Sequence, residues 1–267
     1  ALRDLNAAAI GKKRNGVLAA RDEVHEAYFE ELADMEGTQS FLNAAQNYPL
    51  LRKIQSNLYK NFLTRAWENG SLVGVVGFVH PEGVYDDPKG GALREALYPR
   101  LRHHYQFINE GKALFAEVHN LTTFSLNIYG SHQANPTFSH ISNLFHPATI
   151  HGCWGHDGRG QVPGIKDEEQ RFDKRPHRNR LVHVNSQSLG LFSKLYDEPG
   201  TPALQSRLPV VHSTEIVSVL EKFAAQPRRL GDLKDRYYAT VMFDETYAQR
   251  DGTTKRETRQ PKDASEW

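Results

Sequence analysis

The chain has 267 residues, of which 39% are apolar, 10% aromatic and 24% charged. That composition suits one large globular domain or two small ones and excludes a disordered or fibrous chain. Lys and Arg number 33 against 32 Asp and Glu, a net charge of +1, which excludes a uniformly basic nucleic-acid coat but not a local basic face. Cys153 is the single cysteine, which excludes an internal disulfide framework and a multi-cysteine zinc site, and a reducing cytoplasm is the expected location. No apolar run approaches the roughly 18 residues of a membrane span, and the start of the chain lacks the apolar core of a secretory signal. No membrane partner is expected.

Residues 1–20 are Ala-rich and carry the Lys12-Lys13-Arg14 cluster, expected as a solvated helix end. Residues 21–35 place Val24, Tyr28, Leu32 and Met35 at helical spacing, with Gly37-Thr38 as a stop and a cap. A second helix is expected over 50–68, with Leu51, Ile54, Leu58 and Ala66 on one face, Phe62 beside it, and Lys53, Lys60, Asn61 and Glu68 elsewhere. The Val-rich run 71–81, SLVGVVGFVHP, predicts a buried strand of a parallel sheet. Asp-Pro and Gly-Gly pairs predict a loop over 82–91. A helix over 92–103 holds Leu93, Leu97 and Leu101 in register, with Pro99 as a kink. Residues 105–108 and 124–129 predict strands, the second alternating. Segments 131–210 show weak periodicity, 213–225 predict a helix, 237–243 a strand, and 250–266 a polar tail or linker. The sequence of elements from 57 to 130 is α/β organisation.

Several groups of residues suggest chemistry. His146, His151, Cys153 and His156 have zinc-binding side chains, but all four sit in one Gly-rich stretch rather than in paired ligands on two elements, and no metal is expected. Cys153 with a histidine and Asp157 would be a nucleophilic arrangement, yet nothing local marks the thiol as activated. The pairs Asp86-Asp87 and Glu168-Glu169 read as turn acids. Neither GxxxxGK[ST] nor GxGxxG occurs. The segment RFDKRPHRNR, 171–180, has five Lys or Arg against one acid, with Phe172 interleaved, and suits phosphate contact. A second cluster, Lys222, Arg228, Arg229, Lys234 and Arg236, is diluted by acids.

Residues 57–130 resemble the latter half of the catalytic domain of DNA adenine-N6 methyltransferases, in particular the large single-chain enzymes of restriction-modification and phage-defence systems. Four parts carry the resemblance: Asn-Leu-Tyr-x-x-Phe at Asn57 to Phe62; the apolar run Val73 to Pro81; Leu93-Arg94 at a helix start; and Leu114-Phe115 before a closing strand, Thr123 to Tyr129. The flanks, FLNAAQNYPLL before and FSHISNLFHPATI after, extend it.

The resemblance implies S-adenosylmethionine bound on a Rossmann-like sheet, an adenine flipped out of double-stranded DNA, and methyl transfer to its N6. It implies an α/β fold: the C-terminal half of a Rossmann-like SAM-dependent methyltransferase sheet, followed by an α+β or irregular DNA-facing region. The expected divisions are 1–56 as a helical connector, 57–135 as the second half of the catalytic domain, 136–250 as the target-recognition region and 251–267 as tail. Asn57, Leu58, Tyr59, Phe62 and Pro81 are the implied cofactor-binding residues, with Leu58 and Phe62 more readily read as core and His80-Pro81 equally readable as a strand cap. Lys174, Arg175, Arg178 and Arg180 are the implied DNA contacts. The Gly-rich cofactor loop and the Asn/Asp-Pro-Pro-aromatic motif are not in the sequence. The expectation is therefore that Ala1 follows an internal cut, that no catalytic residue lies here, and that this chain alone is inactive. Its partners would be double-stranded DNA, the rest of the parent chain and other defence-system subunits. Two alternatives stand beside it: a non-catalytic DNA-binding or assembly subunit of methyltransferase shape, and an unrelated hydrolase built on the His/Cys/Asp loop.

Overall fold

Helical propensity and caps account for the first elements of the computed structural model, which describes residues 6–237 and 245–254. Helix α1 (Ala7–Ala20) is capped by the Asn6 side chain, which accepts from the Ala9 amide at 2.9 Å. Helix α2 (Asp22–Asn43) opens with Asp22 and Glu23, acids that suit the positive end of the helix dipole. It runs through the stop expected at Gly37-Thr38, because one mid-helix glycine costs only about 1 kcal/mol and Leu42, a turn further on, packs against the core.

The expected helix over 50–68 is in fact two pieces. A 3-10 turn at Pro49–Leu51 drops Tyr48, Leu51 and Ile54 into the core, and Lys53 then takes a left-handed φ of 70°, which no α-helix continues through. Helix α3 (Leu58–Asn69) starts only after that reversal. Its sides are the reverse of the expected ones. Lys60 and Asn61 are buried, while Leu58 and Phe62 are exposed, 54% and 58%. Their donors are satisfied: the Asn61 amide donates to Leu42 O at 3.0 Å, and the Lys60 ammonium donates to Gln55 O at 3.3 Å and meets Asp87 at 3.5 Å, while Asn61 Oδ1 has no partner among the described residues.

Strand β1 (Val76–Pro81) leads into α4 (Gly83–Asp86), one turn inside the expected loop, and α5 (Gly91–Leu97). The helix expected to reach residue 103 ends before Pro99, whose missing N–H and ring stop it, and the chain re-emerges as β2 (Leu101–Ile108). Then come β3 (Thr123–Tyr129), β4 (Thr137–Leu144), α6 (Ala148–Gly155), β5 (Val182–Asn185), α7 (Ser186–Tyr196) and α8 (Thr214–Ala224). The strand expected over 237–243 lies outside the described residues apart from Tyr237.

The sheet order is β1-β3-β2-β4-β5. Strand β3 returns between β1 and β2 and runs antiparallel to both; β2 and β4 are parallel, and β4 and β5 antiparallel. The sheet is thus mixed. It crosses position 135 without a break, since β4 pairs with β2. The run 71–81 is not the buried parallel strand it resembled: residues 71–75 precede the strand, and β1 is an edge strand whose one neighbour among the described residues is antiparallel. Leu72, Val73, Val75 and Val79 are exposed, Val73 at 95%. Apolarity marks a segment that wants cover, and the described residues do not supply it.

One sheet face is covered by α3, α4, α5 and α7, with Leu63, Leu93, Leu97, Tyr98, Leu189 and Phe192 packed on Tyr129, Phe138 and Val182. The other carries a smaller cluster of Tyr105, Phe107, Ile141, Leu144 and Leu181 around Cys153 of α6. Two compact units divide after Ala225. The second, Gln226–Trp267, holds a 3-10 segment at Leu230–Arg236 and helix α9 (Glu245–Arg250). Among the described residues no helix is long and apolar enough to cross a membrane.

Arg94 ties α5 to its surroundings from a fully buried position. Its Nε donates to Gln205 O at 3.0 Å, and Nη1 to Asp87 O at 2.7 Å and Val84 O at 3.3 Å. Arg94→Met keeps the volume but leaves the carbonyls of Gln205 and Val84 without a donor, while Asp87 O keeps the Gly90 N–H at 2.9 Å. It should lower unfolding stability by roughly 2 kcal/mol in urea titrations, at about 1 kcal/mol per orphaned carbonyl; an unchanged midpoint would contradict the brace.

Candidate functional site

The covered face of the sheet is unusually polar where β1 ends. Period-two alternation turns His80 of β1, Ser125, Asn127 and Tyr129 of β3, His104 and Gln106 of β2, and His140 of β4 inward, and all seven are buried. The chain leaving β1 brings Glu82 and Tyr85 over this ladder, and α3 brings Tyr59.

Hydrogen-bond chemistry fixes most proton positions here. His80 Nδ1 faces Pro81 O at 2.8 Å, and a carbonyl only accepts, so Nδ1 carries the proton. Nε2 is then the acceptor, and the Tyr129 hydroxyl donates to it at 3.0 Å. The Tyr85 hydroxyl donates to Asn127 Oδ1 at 2.6 Å, and the Asn127 amide donates to Ser125 Oγ at 2.8 Å. His104 Nε2 donates to the Glu82 carboxylate at 3.2 Å, while its Nδ1 lies 2.8 Å from His140 Nδ1. One proton is shared between those two nitrogens. His140 Nε2, at the inner end of this Glu82–His104–His140 row, is buried without a hydrogen-bond partner among the described residues.

Burial decides the charge states. It pushes His80 down from 6.5 to about 4, against smaller opposing effects of Pro81 O and Glu82, so the ring is neutral. Burial and the neighbouring His104 hold His140 well below the ordinary histidine range. Burial raises the Glu82 carboxyl, but the charge and hydrogen bond of His104, with Ser125 and His80, outweigh it and hold the group low. Burial, then Asp86, Glu82 and Asp87, raise Tyr59, which stays protonated.

The expected cofactor residues divide. Tyr59 stacks on His80 with ring centroids 5.3 Å apart and planes 17° from parallel. Pro81 is exposed and holds His80 through its carbonyl. Asn57 is the exposed N-cap position of α3. Asn57, Tyr59 and Pro81 thus frame the end of β1. Leu58 and Phe62, by contrast, are exposed and form neither core nor a closed pocket wall within these residues.

The basic loop carries less free charge than its sequence suggests. Arg171 is held by Asp167 at 3.0 Å and Glu169 at 2.7 Å, and Arg175 by Asp173 at 2.6 Å. Arg180 is fully buried and donates to the carbonyls of Ser142 and Asn143 at 3.1 Å, so it braces β4 from inside and cannot reach a phosphate. This corrects its expected DNA role. Lys174 and Arg178 remain exposed, and neither is in an ion pair among the described residues. An open groove of about 790 Å³ runs along this loop, lined by Asp167, Glu168, Arg171, Phe172 and Arg175.

Cys153 is buried, and burial raises its thiol, so it is not a poised nucleophile. Among the described residues no three His, Cys, Asp or Glu side chains gather as a metal would need. None of the seven ladder side chains was among the expected site residues. The available signal was the alternation Ser125, Asn127, Tyr129, read as a strand without asking which face its polar side took.

The fold and site define a mixed α/β protein with a polar, fully packed sheet face at the end of its edge strand. No family model matches the chain, and no curated protein does. Among solved structures it is similar to a type I restriction-modification assembly (TM-score 0.36, 16% identity, 64% of this chain and 38% of that one). It is also similar to the M protein of the type I restriction enzyme EcoKI (0.32, 14%, 74% and 48%). A third is the DNA-bound type ISP restriction-modification enzyme LlaBIII (0.24, 13%, 32% and 6%). The chain spans less than half the length of each. Overlaps of this size are too partial to carry an argument, and the functional reading rests on this chain's own residues.

Between pH 6.5 and 4 the unfolded chain binds a proton at His80 that the folded chain refuses. Stability therefore falls as pH drops through that window and levels off below it, by up to about 3 kcal/mol from this group. His140 adds in the same direction. Urea unfolding at half-unit pH intervals should show the loss, and His80→Gln should flatten it; an equal slope in the variant would refute the assignment.

Proposed function

We propose that the chain is part of a DNA adenine-N6 methyltransferase of restriction-modification or phage-defence type, and that it supplies the region following the catalytic motif together with a DNA-facing surface. One observation carries the reading. The first two motif parts, at Asn57 to Phe62 and at Val73 to Pro81, come together at the end of an edge strand whose flanking apolar residues are uncovered. A sheet that continues into another segment would leave that pattern. The Gly-rich cofactor loop and the Asn-Pro-Pro-aromatic motif are not in these residues, so methyl transfer draws on a segment or partner that carries them.

S-adenosylmethionine is the methyl donor this reading requires. The residues fit it in part. Tyr59 offers an aromatic ring, and Glu82, Asp86 and Asp87 put negative charge around it, which suits the sulfonium and ammonium groups. Leu58 and Phe62 become walls of that pocket only with a second segment against them. On the DNA side Lys174 and Arg178 are the exposed loop cations outside an ion pair among the described residues, with Arg175 held beside them.

The native protein should transfer labelled methyl from S-adenosylmethionine to N6 of adenine in duplex DNA. Tyr59→Ala should weaken cofactor binding roughly tenfold, about the worth of one aromatic contact, while Tyr59→Phe stays near wild type. Lys174→Ala and Arg178→Ala should each lower the salt slope of duplex binding by about one. Duplex binding without cofactor binding would leave the non-catalytic DNA-binding subunit as the reading; binding of neither would overturn both.

A further inference from the structure

Helix α2 is the longest helix among the described residues, and it buries none of its 22. Its length is roughly 33 Å at about 1.5 Å per residue. The last turn is anchored: Leu42 packs against the core, and Phe41 meets Tyr48 edge-on at 6.0 Å. Upstream, Val24, Tyr28, Leu32 and Met35 recur at helical spacing along one side, and Met35 is 58% exposed. An open groove of about 470 Å³ follows the second half of the helix. Met35 and Leu42 line it with apolar surface, Glu31 and Asp34 with carboxylates, and Thr38, Gln39 and Ser56 complete its wall. No Lys or Arg is among these lining residues.

The helix carries one sign of formal charge. Between Asp22 and Asn43 stand seven Asp and Glu and no Lys or Arg. None of the seven is in an ion pair among the described residues. That holds for the basic cluster of α1 as well, since Lys12, Lys13 and Arg14 make no ion pair with them.

We propose that this groove docks a Lys- or Arg-bearing amphipathic helix of a partner protein. Charge and shape select that occupant. A nucleic acid or an anionic lipid surface would meet carboxylates of its own sign. Two copies pairing α2 against α2 would set seven acids against seven. A wholly apolar segment would take water from Glu31 and Asp34 and return no counter-charge. A lysine or arginine meets both demands, with its aliphatic stem over Met35 and Leu42 and its head at Glu31 or Asp34. The helix residues lining the groove fall at 31, 34, 35, 38, 39 and 42, one side of a straight helix, and a second helix packs along such a side. The inference draws nothing from the sheet edge or the basic loop, so it and the proposed function can fail separately.

Two synthetic helical peptides of about three heptads, titrated calorimetrically against the full chain, test it. Both carry one leucine stripe, flanked by lysines in the first and by glutamates in the second. The lysine peptide should bind and the glutamate peptide should not. Glu31→Gln with Asp34→Asn should weaken the lysine peptide roughly tenfold, the worth of two well-placed surface charge pairs. Met35→Ser should weaken it severalfold through lost apolar contact. Glu168→Gln with Glu169→Gln removes the same charge from another loop and should leave binding unchanged. All five side chains are exposed, so the variants keep the fold, which circular dichroism checks. Binding of the glutamate peptide, equal binding of a lysine peptide with scattered leucines, or equal loss in the Glu168 and Glu169 variant would overturn the groove. So would a lysine peptide that does not bind. A dimer in sedimentation that is lost on Lys12→Gln with Lys13→Gln would make a second copy the occupant, and would overturn the partner.

Discussion

A sheet that turns three histidines, an asparagine, a serine, a glutamine and a tyrosine toward its own core has to satisfy them there. Unpaired, each would cost about 1–3 kcal/mol, more than a domain of this size can lose several times over. That constraint explains the local architecture. The chain leaving β1 turns back at once, so that Glu82 and Tyr85 cover His104 and Asn127. The α3 helix starts late, at Leu58, which lets Tyr59 close over His80. Strand β3 must lie between β1 and β2 to set Asn127 and Tyr129 between His80 and His104. Within the ladder, His140 Nε2 at the inner end of the row is the one group left unmet among the described residues. Because burial keeps His80 and His140 neutral, the ladder is a fixed structure near neutral pH and a liability in acid.

Polarity inside is matched by apolarity outside. Leu58 and Phe62 on α3 and Leu72, Val73, Val75 and Val79 around β1 are exposed, while Lys60 and Asn61 are buried. Scattered surface leucines need no explanation, but a group along one sheet edge does. An open edge strand also presents backbone groups that pair readily with another strand. The proposed function gives this edge its occupant, the cofactor-bearing part of the sheet. The basic loop shows the complementary lesson. Charge counted along 171–180 overstates charge available at the surface, because Asp167, Glu169 and Asp173 hold two arginines and Arg180 serves the interior.

Much of the element order was legible. The strands at 105–108 and 124–129 and the helix at 213–225 stand within a few residues of their expected places. Local pattern encodes such elements directly. What failed was context. The run 71–81 has the apolarity of a buried parallel strand, but whether it is buried depends on neighbours that periodicity cannot see. Helix 50–68 broke at Lys53 because a backbone reversal let Tyr48, Leu51 and Ile54 reach the core. Strands β4 and β5 and helix α7 were hidden in a stretch of weak periodicity, since β4 is buried on both faces and shows no alternation. Of the site, Tyr59 and His80 were visible through the motif, whereas Glu82, His104 and His140 come together only through β2–β4 pairing and the turn after β1.

The central claim is that β1 is an interior strand of the working protein. Hydrogen exchange, resolved to single amides, measures this directly in the native protein and in the 267-residue chain alone. The account predicts that the amides of Val76–Pro81 pointing away from β3 exchange slowly in the native protein and fast in the chain alone. Equally fast exchange in both would mean that nothing pairs with this edge, and would contradict the claim.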